Sequence, residues 1–161
     1  MNSFQGIIHK FASALGLSEH TGASGEQPGK TPLLLVSASD ADRKALEQIL
    51  ADTRWKLLTS PSCQDALERI AAGHIPVVLC AHDTSGSGWR ENLAALQSAN
   101  HQPRVIVLSP AGDYSLWEEV IDQGGFDVLT TPLRKADVLQ TLDFAFSLGR
   151  QPSGGSGFAT R

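Results

Sequence analysis

A chain of 161 residues, 41% hydrophobic and 19% charged, is long enough for one globular domain plus tails but not for two full domains. Its 13 basic against 17 acidic residues leave a formal charge of -4 with no basic run, which argues against nucleic-acid binding, since that needs a dense cationic face. No stretch approaches the roughly 18 to 20 uninterrupted apolar residues of a membrane span, and MNSFQGIIHK lacks the layout of a secretion signal, so the chain reads as cytoplasmic with no membrane contact expected.

In chain order, Phe4, Ile7, Ile8, Phe11, Leu15 and Leu17 fall close to helical spacing and predict a short amphipathic helix over 3–16. Its apolar face calls for a partner, either the main domain or a second copy of the chain; one Lys and one His on the polar side are too few for anionic lipid. EHTGASGEQPGK (19–30) reads as a flexible linker, which makes 1–31 a helix-and-linker segment. Within it, GEQPGKT (25–31) has too short a glycine spacing for a phosphate-binding loop, and a strand rather than a helix follows.

From 32 to 149, short apolar runs alternate with helical patterns. The strands are LLLV (33–36), WKLL (55–58), PVVLCA (76–81), RVIVLS (104–109) and FDVLT (126–130). Between and after them, helices are marked by Leu46 with Ile49 and Leu50, by Leu67 with Ile70, by Leu93 with Leu96, by Trp117 with Val120 and Ile121, and by Val138 with Leu142 and Ala145. Five alternations predict an α/β fold, a three-layer doubly wound parallel sheet of order 2-1-3-4-5, with the apolar PVVLCA in its middle. RQPSGGSGFATR (150–161) is expected to be a disordered tail. In such a fold function gathers at the carboxyl ends of the strands, at Ser37, Ala38 and Ser39, at Ala81 to Gly88, at Ser109 and Pro110, and at Thr131 and Pro132.

LLLVSASDADRKALEQIL (33–50), IPVVLCAHDTSGSGW (75–89) and RVIVLSPAGDYSLWEEVIDQGGFDVLTTPL (104–133) resemble the response regulator receiver domains of bacterial two-component signalling, over roughly residues 32–149. The resemblance implies a CheY-like (flavodoxin-like) fold and a phosphoryl group carried on an aspartate. It also implies Mg²⁺ held by acidic residues after the first strand, a hydroxyl after the fourth and a lysine after the fifth. Carried over by position, the acidic pair falls on Ser37 and Ala38, the phosphoacceptor on Ala81, the switch hydroxyl on Ser109, the lysine on Thr131 and the aromatic switch on Val128. Only Ser109 matches, so the chain resembles a pseudo-receiver that needs no metal and no cofactor. A register two residues along would make Asp83 the acceptor, in the loop beyond the strand end.

His82, Asp83, Thr84 and Ser85 place hydrolytic residue types in one loop, but adjacent side chains seldom converge, and the reading is a solvated loop. Gly86 and Gly88 are read as relaxing a turn. Cys63 and Cys80 are read as structural, because nothing cationic flanks them. Trp89 and Trp117 are expected to pack against the sheet or a neighbouring helix, and Trp117, with Asp127 and Val128, marks a candidate interface. The expected function is non-enzymatic: a signal-transduction module acting by contact with a protein partner, with a homodimer as one option. The alternative is a small-ligand sensor using the vacated pocket around Ser37, Ala81, Ser109 and Thr131.

Overall fold

The computed structural model describes residues 29–84 and 87–149. The predicted helix over 3–16, the linker up to Pro28, Ser85, Gly86 and the tail at 150–161 lie outside the described residues. The first strand, β1 (Thr31–Val36), is followed by helix α1 (Asp40–Leu50), β2 (Trp55–Ser60), α2 (Cys63–Ala72) and β3 (Val77–Ala81). Two very short strands come next, β4 (Asp83–Thr84) and β5 (Ser87–Gly88). Then follow α3 (Trp89–Gln97), β6 (Arg104–Ser109), α4 (Tyr114–Asp122), β7 (Asp127–Thr130) and α5 (Lys135–Gly149).

Five strands form one parallel sheet in the order β2-β1-β3-β6-β7, the predicted 2-1-3-4-5 arrangement once β4 and β5 are set aside as a separate antiparallel pair. The strand bounds differ slightly from expectation. Pro76 and Phe126 stay outside β3 and β7, and β2 runs on to Ser60. Pro76 lacks an amide hydrogen for a central ladder, so β3 begins at Val77.

Alternation along each strand divides the core in two. Leu33, Leu35, Leu79, Ile106, Leu108 and Leu129 face α1 and α5, where Leu46, Ile49, Val138 and Leu142 cover them. Leu34, Val36, Val78, Cys80, Val105, Val107 and Val128 face the other layer, covered by Ala66 and Ile70 of α2, Leu93 and Leu96 of α3, and Val120 of α4. All five residues of β3 are buried, as a central parallel strand requires. Each large aliphatic side chain so buried contributes roughly 1.5–3 kcal/mol of transfer free energy, which makes this two-faced pattern the main determinant of the architecture.

Helix starts are set by local capping. The Ser39, Ser62 and Asp113 side chains accept hydrogen bonds from the amides of Asp42, Asp65 and Leu116 at 3.3, 3.3 and 2.8 Å. Beyond α4, the Gly124 amide donates to the Ile121 carbonyl over 2.9 Å, and Gly124 has a φ of 86°, a conformation that a side chain would strain. Two of the three tryptophans are buried. Trp55 is buried edge-on against Phe146, and Trp89 is buried in the layer of α2 to α4. Among the described residues, no helix is long and apolar enough to cross a membrane.

Candidate functional site at the carboxyl edge of the sheet

The register of the parallel sheet gathers the ends of β1, β3, β6 and β7 at one edge. Val36 lies beside Cys80, Ala81 beside Leu108, and Ser109 beside Thr130. Ala81 is thus the last residue of β3, 7% exposed, and the next amide, of His82, donates to the Leu108 carbonyl over 2.7 Å. Ser109 closes β6 next to it. Its carbonyl accepts from the Thr131 amide at 3.0 Å, which brings the two segments together at a cis Thr131–Pro132 bond.

The two serine hydroxyls of this edge, on Ser37 and Ser109, are engaged locally. Ser37 Oγ accepts from the Ser39 amide at 3.0 Å and donates to Asp42 Oδ2 at 3.2 Å, so it folds back onto the start of α1. Ser109 Oγ accepts from the Ala111 amide at 3.3 Å. Ala38 is exposed. Gly112 passes so close to Thr130 Oγ1 that a Cβ would collide with it, which packs the loop after β6 onto β7.

The segment after β3 is not the solvated loop read from the sequence. Asp83 pairs with Gly88 and Thr84 with Ser87 in a short hairpin. Thr84 Oγ1 donates to the Ala81 carbonyl at 3.1 Å and accepts from Asn92 Nδ2 at 2.8 Å, while Asn92 Oδ1 accepts from Ser87 Oγ at 2.7 Å. Thr84 and Asn92 are both buried. A buried amide is costly unless its donors and acceptors are met, and here they meet across the hairpin. Gly88, read as part of a relaxed turn, belongs to β5 and starts α3. Asn92 was missed by sequence reasoning. Its signal was positional, since it shares the buried stripe of α3 with Trp89, Leu93 and Leu96.

Thr84 turns inward and Asp83 outward. The Asp83 side chain is 92% exposed, with His82 Nδ1 3.2 Å from its Oδ1. Cys80 sits beneath this edge, where burial pushes its thiol up to about 12 and the neighbouring Cys63 adds to the shift. Burial also raises the Cys63 thiol, so neither sulfur is activated as a thiolate.

At the adjoining face, the structure corrects two of the three interface expectations. Asp127 and Val128 are buried and present no surface to a partner. The reason is the backbone: both lie in β7 beneath α4. Asp127 Oδ1 instead accepts from Trp117 Nε1 at 3.1 Å and from the Val128 amide at 2.8 Å, while Oδ2 has no hydrogen-bond partner among the described residues. Burial pushes this carboxyl up to about 7 against the opposing pull of those two donors. Trp117 is half-buried, and Tyr114, 52% exposed and overlooked in the sequence, stacks on it with centroids 5.9 Å apart.

No family model matches the chain. The transcriptional regulatory protein TdiR of Thauera aromatica is 28% identical over 120 residues, a match that covers 74% of this chain and 52% of that protein. The chain thus spans about half the length of the curated relative it matches. Among solved structures, the signal receiver domain of an HD domain-containing protein from Pseudomonas fluorescens Pf-5 superposes with a TM-score of 0.69 at 19% identity, covering 80% of this chain and 94% of the other. The Vibrio cholerae chemotaxis protein CheY4 gives 0.64 at 18% identity, covering 71% and 98%. The beryllofluoride-activated NtrC4 receiver domain dimer gives 0.67 at 19% identity, covering 73% and 98%. The fold is that of the response regulator receiver domains.

The Mg²⁺ of a working receiver does not fit the residues present. A hard divalent cation takes carboxylate and carbonyl oxygens, and Ser37, Ala38 and Ala81, the positions that the receiver resemblance assigns to acids, carry no carboxylate. Among the described residues, no three His, Cys, Asp or Glu side chains come together as a metal site.

Proposed function

We infer that the chain is a receiver-like signalling module that acts through protein contact without aspartyl phosphorylation and catalyses no reaction. The observation that carries this reading is Ala81 at the end of β3, beside Leu108 and next to Ser109, a methyl group at the position to which the receiver resemblance assigns the acceptor carboxylate. Around it, Ser37, Ala38 and Thr131 supply neither carboxylate nor ammonium to hold a metal or a phosphoryl group. Ser109 keeps the hydroxyl alone. The Asp83 alternative is disfavoured by geometry, because the Thr84–Asn92 network fixes Thr84 inward and leaves Asp83 facing solvent.

The small-ligand alternative at the vacated edge finds less support, since Ser37 Oγ already accepts from the Ser39 amide and donates to Asp42, and Ser109 Oγ already accepts from the Ala111 amide and keeps its proton to offer. The contact surface is assigned to the exposed side of α4, where Tyr114 stacks on Trp117, and the partner to a protein, with a second copy of the chain as the first to test. A cytoplasmic setting accords with this role. Intact-mass measurement after incubation with Mg²⁺ and acetyl phosphate tests the phosphorylation-silent reading. An unmodified mass is expected, and a phosphoryl adduct mapped to Asp83 would overturn it.

A further inference from the structure

The opposite edge of the sheet holds a cavity of about 600 Å³. It is assembled from four separated segments: the turn before β3, the end of α3 with the turn before β6, the turn before β7, and the end of α5. Its size lies within the range of small-molecule sites. β6 begins at this cavity with Arg104 and ends at Ser109, so the two edges are separated by about 17 Å of strand. The cavity is therefore distinct from the edge where receivers carry a phosphoryl group.

The chemistry of its walls is one-sided. In a chain with more acids than bases, the lining contributes Arg104, His74 and His101 and, among the described residues, no Asp or Glu. Arg104 is exposed and, like Arg134, has no carboxylate partner among the described residues, whereas Arg43, Arg54, Arg69 and Arg90 are each paired. The two imidazoles stand edge to face with centroids 5.7 Å apart. Gln97 adds an amide. The absence of a side chain at Gly124 makes room for it, since a Cβ there would lie 2.6 Å from Gln97 Nε2. Phe126 and Leu148 supply the apolar part of the wall.

A planar guanidinium without a partner, flanked by imidazole and amide donors and opposed by no acid, is suited to an oxyanion. The apolar wall beside it is suited to the body that carries that oxyanion. We propose that this cavity binds a small organic oxyanion, a carboxylate or phosphate ester borne on an apolar or aromatic group. The site stands independently of whether the opposite edge is phosphorylated, because it uses none of that edge's residues.

Amide NMR of the full labelled chain, titrated separately with phenyl phosphate, benzoate, inorganic phosphate and benzyl alcohol, tests this. Saturable shifts are expected at His74, Gln97, His101, Arg104 and Gly124 with phenyl phosphate or benzoate, and whichever binds tighter distinguishes phosphate ester from carboxylate. Arg104→Gln should weaken that binding at least about tenfold, the loss of one charge-assisted contact, while leaving the amide spectrum of the sheet in place. Three outcomes would each overturn the proposal: no saturable shifts with either organic anion, equal shifts with neutral benzyl alcohol, or unchanged affinity in Arg104→Gln. Inorganic phosphate binding as tightly as phenyl phosphate would overturn the role of the apolar wall.

Discussion

The indole of Trp117 on α4 is held by the buried carboxyl of Asp127 on β7, with Nε1 donating to Oδ1 over 3.1 Å. The bond ties the helix that carries the exposed Tyr114 to the strand beneath it. The proposed contact surface is thus anchored by a residue buried beneath it. It also depends on a group whose ionisation lies near neutrality, because burial pushes Asp127 up to about 7.

The sign of the resulting pH dependence follows from linkage. The folded chain holds the Asp127 proton up to about pH 7, whereas the unfolded chain releases it near its ordinary value of 3.8. Between those limits the folded state binds more protons, so this group's contribution lowers stability as pH rises, by on the order of 4 kcal/mol at most. Asp127→Asn removes the ionisation and keeps an oxygen to accept from Trp117. Urea unfolding at pH 5 and pH 8 should show a smaller fall in stability with pH for Asp127→Asn than for the native chain. An identical pH dependence would contradict it.

Asn92→Ala removes the amide between Thr84 and Ser87 and leaves the buried Thr84 hydroxyl and the half-buried Ser87 hydroxyl each short of a partner. The expected cost is about 2 kcal/mol in urea unfolding, with faster hydrogen exchange confined to the hairpin of Asp83–Gly88. A stability change within about 0.5 kcal/mol would show that the network does not order this segment.

Restoring a carboxylate alone should not restore chemistry. Ala81→Asp places a charge at a site 7% exposed and is expected to destabilise the fold by roughly 1–3 kcal/mol without yielding a phosphoryl adduct. Adding Ser37→Asp, Ala38→Asp and Thr131→Lys to it supplies the metal and phosphate partners that the receiver resemblance implies. That fourfold variant should gain saturable Mg²⁺ binding by calorimetry, and its failure to do so would count against the alignment of these four positions.

Tyr114→Ala changes an exposed ring and should leave urea stability within about 0.5 kcal/mol of the native chain. If a second copy is the partner, sedimentation should show weaker self-association for this variant than for the native protein. Unaltered self-association would place the contact elsewhere.

The architecture was legible because both kinds of period were written plainly. Leu33 to Val36, Val77 to Ala81 and Val105 to Leu108 alternate between two covered faces, and Leu46 with Leu50 or Leu93 with Leu96 mark helical stripes. The edge positions Ser37, Ala81, Ser109 and Thr131 followed from where those strands end. The hairpin did not, because its strands are two residues long and owe their form to a contact between Thr84 and Asn92, eight positions apart. Asp127 was read, with Trp117 and Val128, as part of a candidate interface, and the structure buries it in β7 beneath α4. Its burial depends on Trp117 lying over it, a pairing that no local pattern announces. The cavity at the other edge joins His74 to Leu148 and has no sequence signature.

The central claim, a receiver fold silent to phosphorylation, is tested most directly by an amide NMR titration of the full chain with Mg²⁺ and then beryllofluoride. With Ala81, Ser37, Ala38 and Thr131 at the carboxyl edge, the account predicts no saturable shifts in the segments after β1, β3 and β7. Saturable shifts centred on Asp83 and Ser109 would contradict it and make this a working phosphoacceptor.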